Sequence, residues 1–354
     1  MKKELLMASA LVSTLGAASV AQAVTATMAG SMKIGAEFES ADDSTVDSNS
    51  VVDLSNFNIS LTETTDGGTT ISSSFEIVDE GTVAADDDNA LKLTFSDGSA
   101  LELLNAGNAS GTHAIGVPGA SGEQGVGGTT TNNAPTGISF SAGSTPLGVE
   151  WHSASDFLAD GLKVSASYST DNEAAKTATA KLSSSWGIGA TYVTTAGDST
   201  ITIGGGIADS EVKKTGTQLT ADKGGMHVGL TAVTGDLTIG VGYGDGDSFD
   251  DDGAGSTNTP VQIDGSVFTA GIKYVTGDIT LAVNTVAGEA KDSTTLGTAG
   301  TTDDSHDATS ASVTYSVASG VSAVVGYTTV DQNNEGSSTT DGGSAWYVGA
   351  SMSF

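Results

Sequence analysis

The feature that most limits how this chain can fold is alternation. Between Thr25 and Glu39, Ala26, Met28, Met32, Ile34, Ala36 and Phe38 share one phase, while Thr27, Ser31, Lys33, Glu37 and Glu39 occupy the other. A β-strand sends successive side chains to opposite faces, so this stretch has one apolar and one polar face. The pattern returns along the chain. Leu91, Leu93 and Phe95 alternate with Lys92, Thr94 and Ser96, and Leu237, Ile239, Val241 and Tyr243 with Thr238, Gly240 and Gly242. Ala311, Val313, Tyr315 and Val317 alternate with Ser312, Thr314 and Ser316, and the last residues place Trp346, Val348, Ala350, Met352 and Phe354 in one phase. No helical periodicity interrupts them, and the fold class is all-β.

A β-sandwich alternates too, and three observations favour a closed antiparallel barrel across a membrane. Short and long connectors alternate. Residues 65–68, 97–98, 235–236, 277–278 and 319–320 are short turns, and 40–51, 79–88, 105–136, 208–224, 244–264, 288–308 and 329–343 are long loops. Short periplasmic turns opposite long extracellular loops mark an outer-membrane barrel. The charges form the second observation. Lys33, Lys92, Lys163, Lys181 and Lys273 all fall in the polar phase, as they must where a lipid-facing Lys costs roughly 2–4 kcal/mol. Aromatic position is the third. Phe38, Tyr168, Tyr243, Tyr327 and Trp346 sit at the long-loop ends of strands, and Phe95, Trp151, Tyr192, Tyr274, Tyr315 and Phe354 near the short-turn ends. Two aromatic girdles at the two water–lipid interfaces have this arrangement.

Composition removes other classes. The chain has 354 residues and no Cys, which excludes disulfide scaffolds, thiolate zinc and iron–sulfur chemistry. It has no Arg, 12 Lys and 43 acidic residues, a net charge of −31. That leaves nothing to neutralise nucleic-acid phosphates. Residues 1–23 carry Lys2 and Lys3, an apolar stretch from Leu5 to Val20, and Ala21-Gln22-Ala23 as a small-residue cleavage site. These are the parts of a secretory signal peptide, which makes 24–354 the exported barrel.

Counting alternating segments gives eighteen strands. Merging 177–194 into one strand, and joining Ile138/Phe140 to Leu147/Val149/Trp151 through a bulge near Pro146, gives sixteen. Both counts are even, as single-chain barrels of this type require, and eighteen stays as the alternative. The exported length, the sixteen strands, the third loop as the longest and the terminal Phe354 resemble the 16-stranded general porins of Gram-negative bacteria, most nearly the alphaproteobacterial porin family. The segment Leu101–Gly111 (LELLNAGNASG) looks like the end of that family's fifth strand and the start of its third loop. The resemblance implies a homotrimer in the outer membrane that passes small hydrophilic solutes by diffusion. It also implies a third loop folded into the lumen opposite a basic wall, and a terminal aromatic, here Phe354, read by the outer-membrane insertion machinery. The absence of Arg departs from that family's basic wall, which here must be built of Lys.

Within loop 105–136 the only ionisable residues are His113 and Glu123. They are the candidate constriction residues, facing Lys33, Lys92, Lys163 and Lys181 across a transverse field. A separate signal is the carboxylate cluster Asp245, Asp247, Asp250, Asp251 and Asp252, whose closely spaced oxygens suit Ca²⁺. Its plainer reading is a solvated, repulsive loop. No other cofactor is indicated. Four His and many Ser form no pairing that stands out, so no enzyme is expected. The reading is a water-filled channel for ions and small solutes that prefers cations. The alternative is an exported β protein without transport, a surface-layer or adhesive module. That alternative would place polar residues on both strand faces.

Overall fold

The computed structural model describes residues 24–41, 48–79, 91–104, 106–121, 125–126, 129–130, 147–170, 181–213, 220–250, 261–292, 304–333 and 342–354. Sixteen antiparallel strands close into a barrel. They are β1 (Thr25–Ala41), β2 (Ser48–Thr64), β3 (Thr70–Asp79), β4 (Leu91–Thr94), β5 (Ala100–Leu103), β8 (Leu147–His152), β9 (Leu162–Thr170) and β10 (Lys181–Ala196), followed by β11 (Ser199–Lys213), β12 (Thr220–Thr234), β13 (Leu237–Asp250), β14 (Val261–Thr276), β15 (Ile279–Asp292), β16 (Asp304–Ala318), β17 (Val321–Asn333) and β18 (Gly343–Ser353). β6 (Gly125–Val126) and β7 (Thr129–Thr130) form a separate hairpin within the third loop. The expected count of sixteen holds. The proposed joint at 138–146 and the leader at 1–23 lie outside the described residues.

The barrel closes where β1 meets β18. Gly30 and Phe354 exchange both backbone hydrogen bonds at 3.0 Å, and the Phe354 ring lies 6.5 Å from that of Phe57. A closed sheet leaves no unpaired edge for lipid to meet, which is the condition for spanning a membrane with strands. The repeated Gly-Asp turns follow the strand twist. Gly235 and Gly277 have φ of 55° and 58°, while the Asp after each stays at negative φ. That is the II′ pattern, in which the first central residue is a glycine.

The two phases separate as expected. Trp346 pairs with Phe38 and Tyr327 in the outward row, and Tyr168 with Trp186. Inward rows are small and hydroxylated: Ser165, Ser167 and Ser169 line β9, and the Ser169 and Ser185 hydroxyls are bonded at 2.5 Å. Tyr347 is an inward aromatic, 1% exposed, lying over Gly35 and Gly349. Alternation had not singled it out, because it sits beside outward Trp346.

Two expectations need correction. The long loops are shorter than the alternation suggested: β11 runs to Lys213, β13 to Asp250, β15 to Asp292 and β17 to Asn333. Above the lipid both faces of a strand are wet, so nothing keeps one face apolar and the pattern fades before the strand ends. Charge is also not confined to the inward phase. Asp209, Asp245, Glu289, Asp307 and Asp331 share the outward rows of Trp186, Met226, Ala287 and Val325, all at the extracellular ends. Asp53, the register partner of Ile34, is outward too, and lies deeper.

Candidate functional site

The chain enters the lumen after β5. Leu104 turns it with a φ of 64°, and the short helix α1 (Ala109–Thr112) follows. Asn108 caps α1, its side chain accepting from the Gly111 N–H, which satisfies a donor that a helix start leaves orphaned. The segment from Ala106 to Ser121 then runs along the inner wall from β8 to β16.

The wall anchors this segment bond by bond. Glu150 on β8, 3% exposed, accepts from the Asn108 N–H at 3.0 Å and from the Thr112 hydroxyl at 2.7 Å. Such charge-assisted bonds are about twice as strong as neutral ones. The Ala109 N–H donates to Ser167 Oγ, which in turn donates to the Gly107 carbonyl. His227 Nε2 donates to the Ser110 carbonyl at 2.9 Å. Farther on, the Ala120 N–H donates to Asn284 Oδ1 and the Ser121 N–H to Ser312 Oγ, both at 2.8 Å.

The wall is also shaped for the segment. A Cβ at Gly148 would collide with the Ala106 carbonyl, at Gly189 with Ala109 and His113, at Gly206 with Ser110, at Gly229 with Ile115, and at Gly271 with the Pro118 carbonyl. Side-chain-free positions on β8, β10, β11, β12 and β14 form a track in which the loop backbone lies. Beyond Ser121, the β6–β7 hairpin reaches β17, β18 and β1. The sequence carries a signal for this track. Glycines recur in the polar phase of β10 to β14, where an open lumen wall would accept any hydrophilic side chain.

The candidate residues separate accordingly. His113 turns into the wall and not across the pore. It is 5% exposed, with Nδ1 2.7 Å from Thr191 Oγ1 and Nε2 2.8 Å from Ser165 Oγ. Burial, then the neighbouring His152, His227 and Lys163, lower its pKa to about 4, so the docked ring is neutral at pH 7. Glu123 lies outside the described residues. Lys92 is paired with Glu102 at 2.6 Å. Lys163, on the inward row of β9, is exposed to the lumen, and Lys33 stands inward on β1 opposite Ser351. Lys181 begins β10, opposite Lys213 and above the register shift at 182–184. Asp245, Asp247 and Asp250 belong to strand β13, which separates the first from the last by about 17 Å at ~3.4 Å per residue. Asp251 and Asp252 lie outside the described residues. Among the described residues of segment 106–116, the exposed Thr112, Ala114 and Gly116 are uncharged.

Ser165, His152 and Glu102 form a Ser–His–carboxylate series, with Ser165 Oγ 2.9 Å from His152 Nδ1 and His152 Nε2 3.3 Å from Glu102 Oε1. Ser165 is 1% exposed and already bonded to His113, so no substrate reaches its hydroxyl.

A family model for Gram-negative porins matches residues 8–353. A search of curated proteins found no match. Among solved structures the chain is similar to a loop-deletion form of OmpT, an outer membrane protein of Vibrio cholerae, at 18% identity and a TM-score of 0.62, over 94% of this chain and 99% of that one. It is similar to an anion-selective porin from Comamonas acidovorans at 14% identity and 0.65, over 94% and 100%. It is also similar to the outer membrane channel DcaP of Acinetobacter baumannii at 11% identity and 0.65, over 96% and 99%. A closed sixteen-stranded barrel, a loop seated on its inner wall and a family match over nearly the whole length lead to one conclusion: the chain belongs to the Gram-negative porin family, channel proteins of the bacterial outer membrane, and is not an enzyme.

Proposed function

We propose that this porin passes small hydrophilic solutes and ions by passive diffusion, prefers cations, and works as a homotrimer. The observation that carries the first part is the lumen surface. Its wall is rich in Ser, Thr and Gly with a few charged groups such as Lys163, and among the described residues the docked loop shows it uncharged groups, so the bore is wet and hydrophilic. The cation preference follows from charge. A net −31 with no Arg leaves the few lumen Lys outnumbered, and Lys92 is neutralised by Glu102.

Part of that negative charge faces outward at the extracellular rim, a wall's thickness from permeating ions. Its reach is set by screening, about 30 Å at 0.01 M salt and 3 Å at 1 M. The preference should therefore be strongest near 0.01 M and nearly absent at 1 M. Planar-bilayer reversal potentials across that range test it. Changing Asp245, Asp247, Asp250, Asp251 and Asp252 together to Asn should weaken the preference at low salt only. Anion preference at 0.1 M would overturn the reading and give control to the lumen Lys. Loss of the same preference on adding Ca²⁺ but not Mg²⁺ would identify that segment as a calcium site.

The trimer rests on the outer face of β2. Asn49, Asp53 and Ser55 share its outward row, and Asp53 lies four residues, about 13 Å along the strand, below the Phe38 girdle. A carboxylate at that depth is disfavoured against lipid, and a second copy of the chain covers it. One solved relative, OmpT of Vibrio cholerae, is described in a trimer form.

A further inference from the structure

We propose that Glu102, Glu150 and His152 form a binding site for a divalent first-row transition-metal ion of the zinc type, set in the channel wall beneath the third loop. The three residues come from adjacent strands. Glu102 on β5 is the register partner of Glu150 on β8, and His152 follows on the same inward face. One ligand atom from each lies within 4.8 Å of the others.

The spacing is that of ligands around an ion. His152 Nε2 lies 3.3 Å from Glu102 Oε1 and 3.8 Å from Glu150 Oε1. Charge-assisted hydrogen bonds are shorter, about 2.7–2.9 Å. Donors held at ~2.1 Å from a tetrahedral zinc stand about 3.4 Å apart. His152 Nε2 is buried and has no partner in hydrogen-bond geometry. One imidazole nitrogen and two carboxylates, with the fourth position left to water, suit Zn²⁺ and its neighbours and are a poor set for the all-oxygen preference of Ca²⁺ or Mg²⁺.

The outer shell is already in place. His152 Nδ1 is 2.9 Å from Ser165 Oγ, and Glu150 Oε2 is held by the Asn108 N–H. Metal-bound histidines depend on such a partner to fix their tautomer. Two proton orders satisfy the chain Thr191–His113–Ser165–His152. In one, each group donates towards His152, whose Nε2–H then points at Glu102. In the other, His152 donates to Ser165, Ser165 to His113 and His113 to Thr191, which leaves Nε2 with a bare lone pair for the ion. Binding selects the second order, with no net proton released.

Lys92 is the competitor. Its ammonium is 2.6 Å from Glu102 Oε1 and half exposed to the lumen, so an arriving ion displaces it into the channel. The site thereby adds positive charge to the wall.

The test is Zn²⁺ titration of the folded full-length protein in detergent, by calorimetry, with Co²⁺ absorption as the report of a nitrogen-containing ligand set. His152→Gln should lower Zn²⁺ affinity at least tenfold, and Ser165→Ala about tenfold, the usual effect of losing an outer-shell partner. Lys92→Met, which disturbs no backbone bond, should raise affinity, and millimolar Mg²⁺ should not compete. Equal binding by His152→Gln, unchanged or weaker binding by Lys92→Met, or displacement by Mg²⁺ would each overturn the proposal. Channel conductance before Zn²⁺ addition reports the porin reading separately.

Discussion

At the scale of single residues, the third loop is held by groups that look unrelated in sequence. Three of the four His, at 113, 152 and 227, meet within its seat, brought from the loop, β8 and β12. His113 titrates in a useful range. Free in solution it would protonate near 6.5, and docked near 4. Between those values the undocked loop binds more protons than the docked one, so docking is fully stable above about pH 6.5, weakens as pH falls, and changes no further from this group below about 4. His152, His227 and Lys163 add to the cost of a charge there, while Glu102 and Glu150 flank His152. Amide hydrogen exchange of 106–116, corrected for intrinsic rates, should quicken from pH 7 to 4.5. His113→Gln should flatten that dependence. An unchanged pH profile in the variant would place the sensitivity elsewhere.

Among the elements, strand alternation does two tasks. The outward phase of β10 to β14 meets lipid. The inward phase gives up its side chains, at Gly189, Gly206, Gly229 and Gly271, to make room for a loop that starts more than 60 residues earlier. A methyl on this track pushes the loop backbone into the lumen. Gly206→Ala should therefore lower single-channel conductance and loosen segment 106–116. Gly224→Ala, whose new Cβ meets nothing closer than 3.6 Å, should leave both unchanged. Equal conductance in the two variants would mean that the loop does not line the narrow part. The glycines were legible as a run in the polar phase, but only the register of five paired strands shows that they form one track.

For the whole molecule, the sharpest test concerns the outer face that carries Asp53. The chain has no Cys, so Ser55→Cys provides one labelling site, and a spin label there reports contact. Shielding from lipid-soluble oxygen, compared with a label at the outward Ile239→Cys, is the expected result if a second subunit covers β2. High oxygen access at both would place the patch in lipid and remove the structural argument for the trimer. Much of the architecture was readable beforehand, because the membrane imposes it locally: a strand between lipid and water must alternate, its Lys must point inward, and its ends collect aromatics. Sixteen strands, their Gly-Asp turns and the inward positions of Lys33, Lys92 and Lys163 all follow from neighbouring residues. The seat of His113 and the Glu102–Glu150–His152 cluster do not. Each depends on the register between strands and on a loop laid across many of them, and local periodicity says which face a residue takes but not which distant residue it meets there.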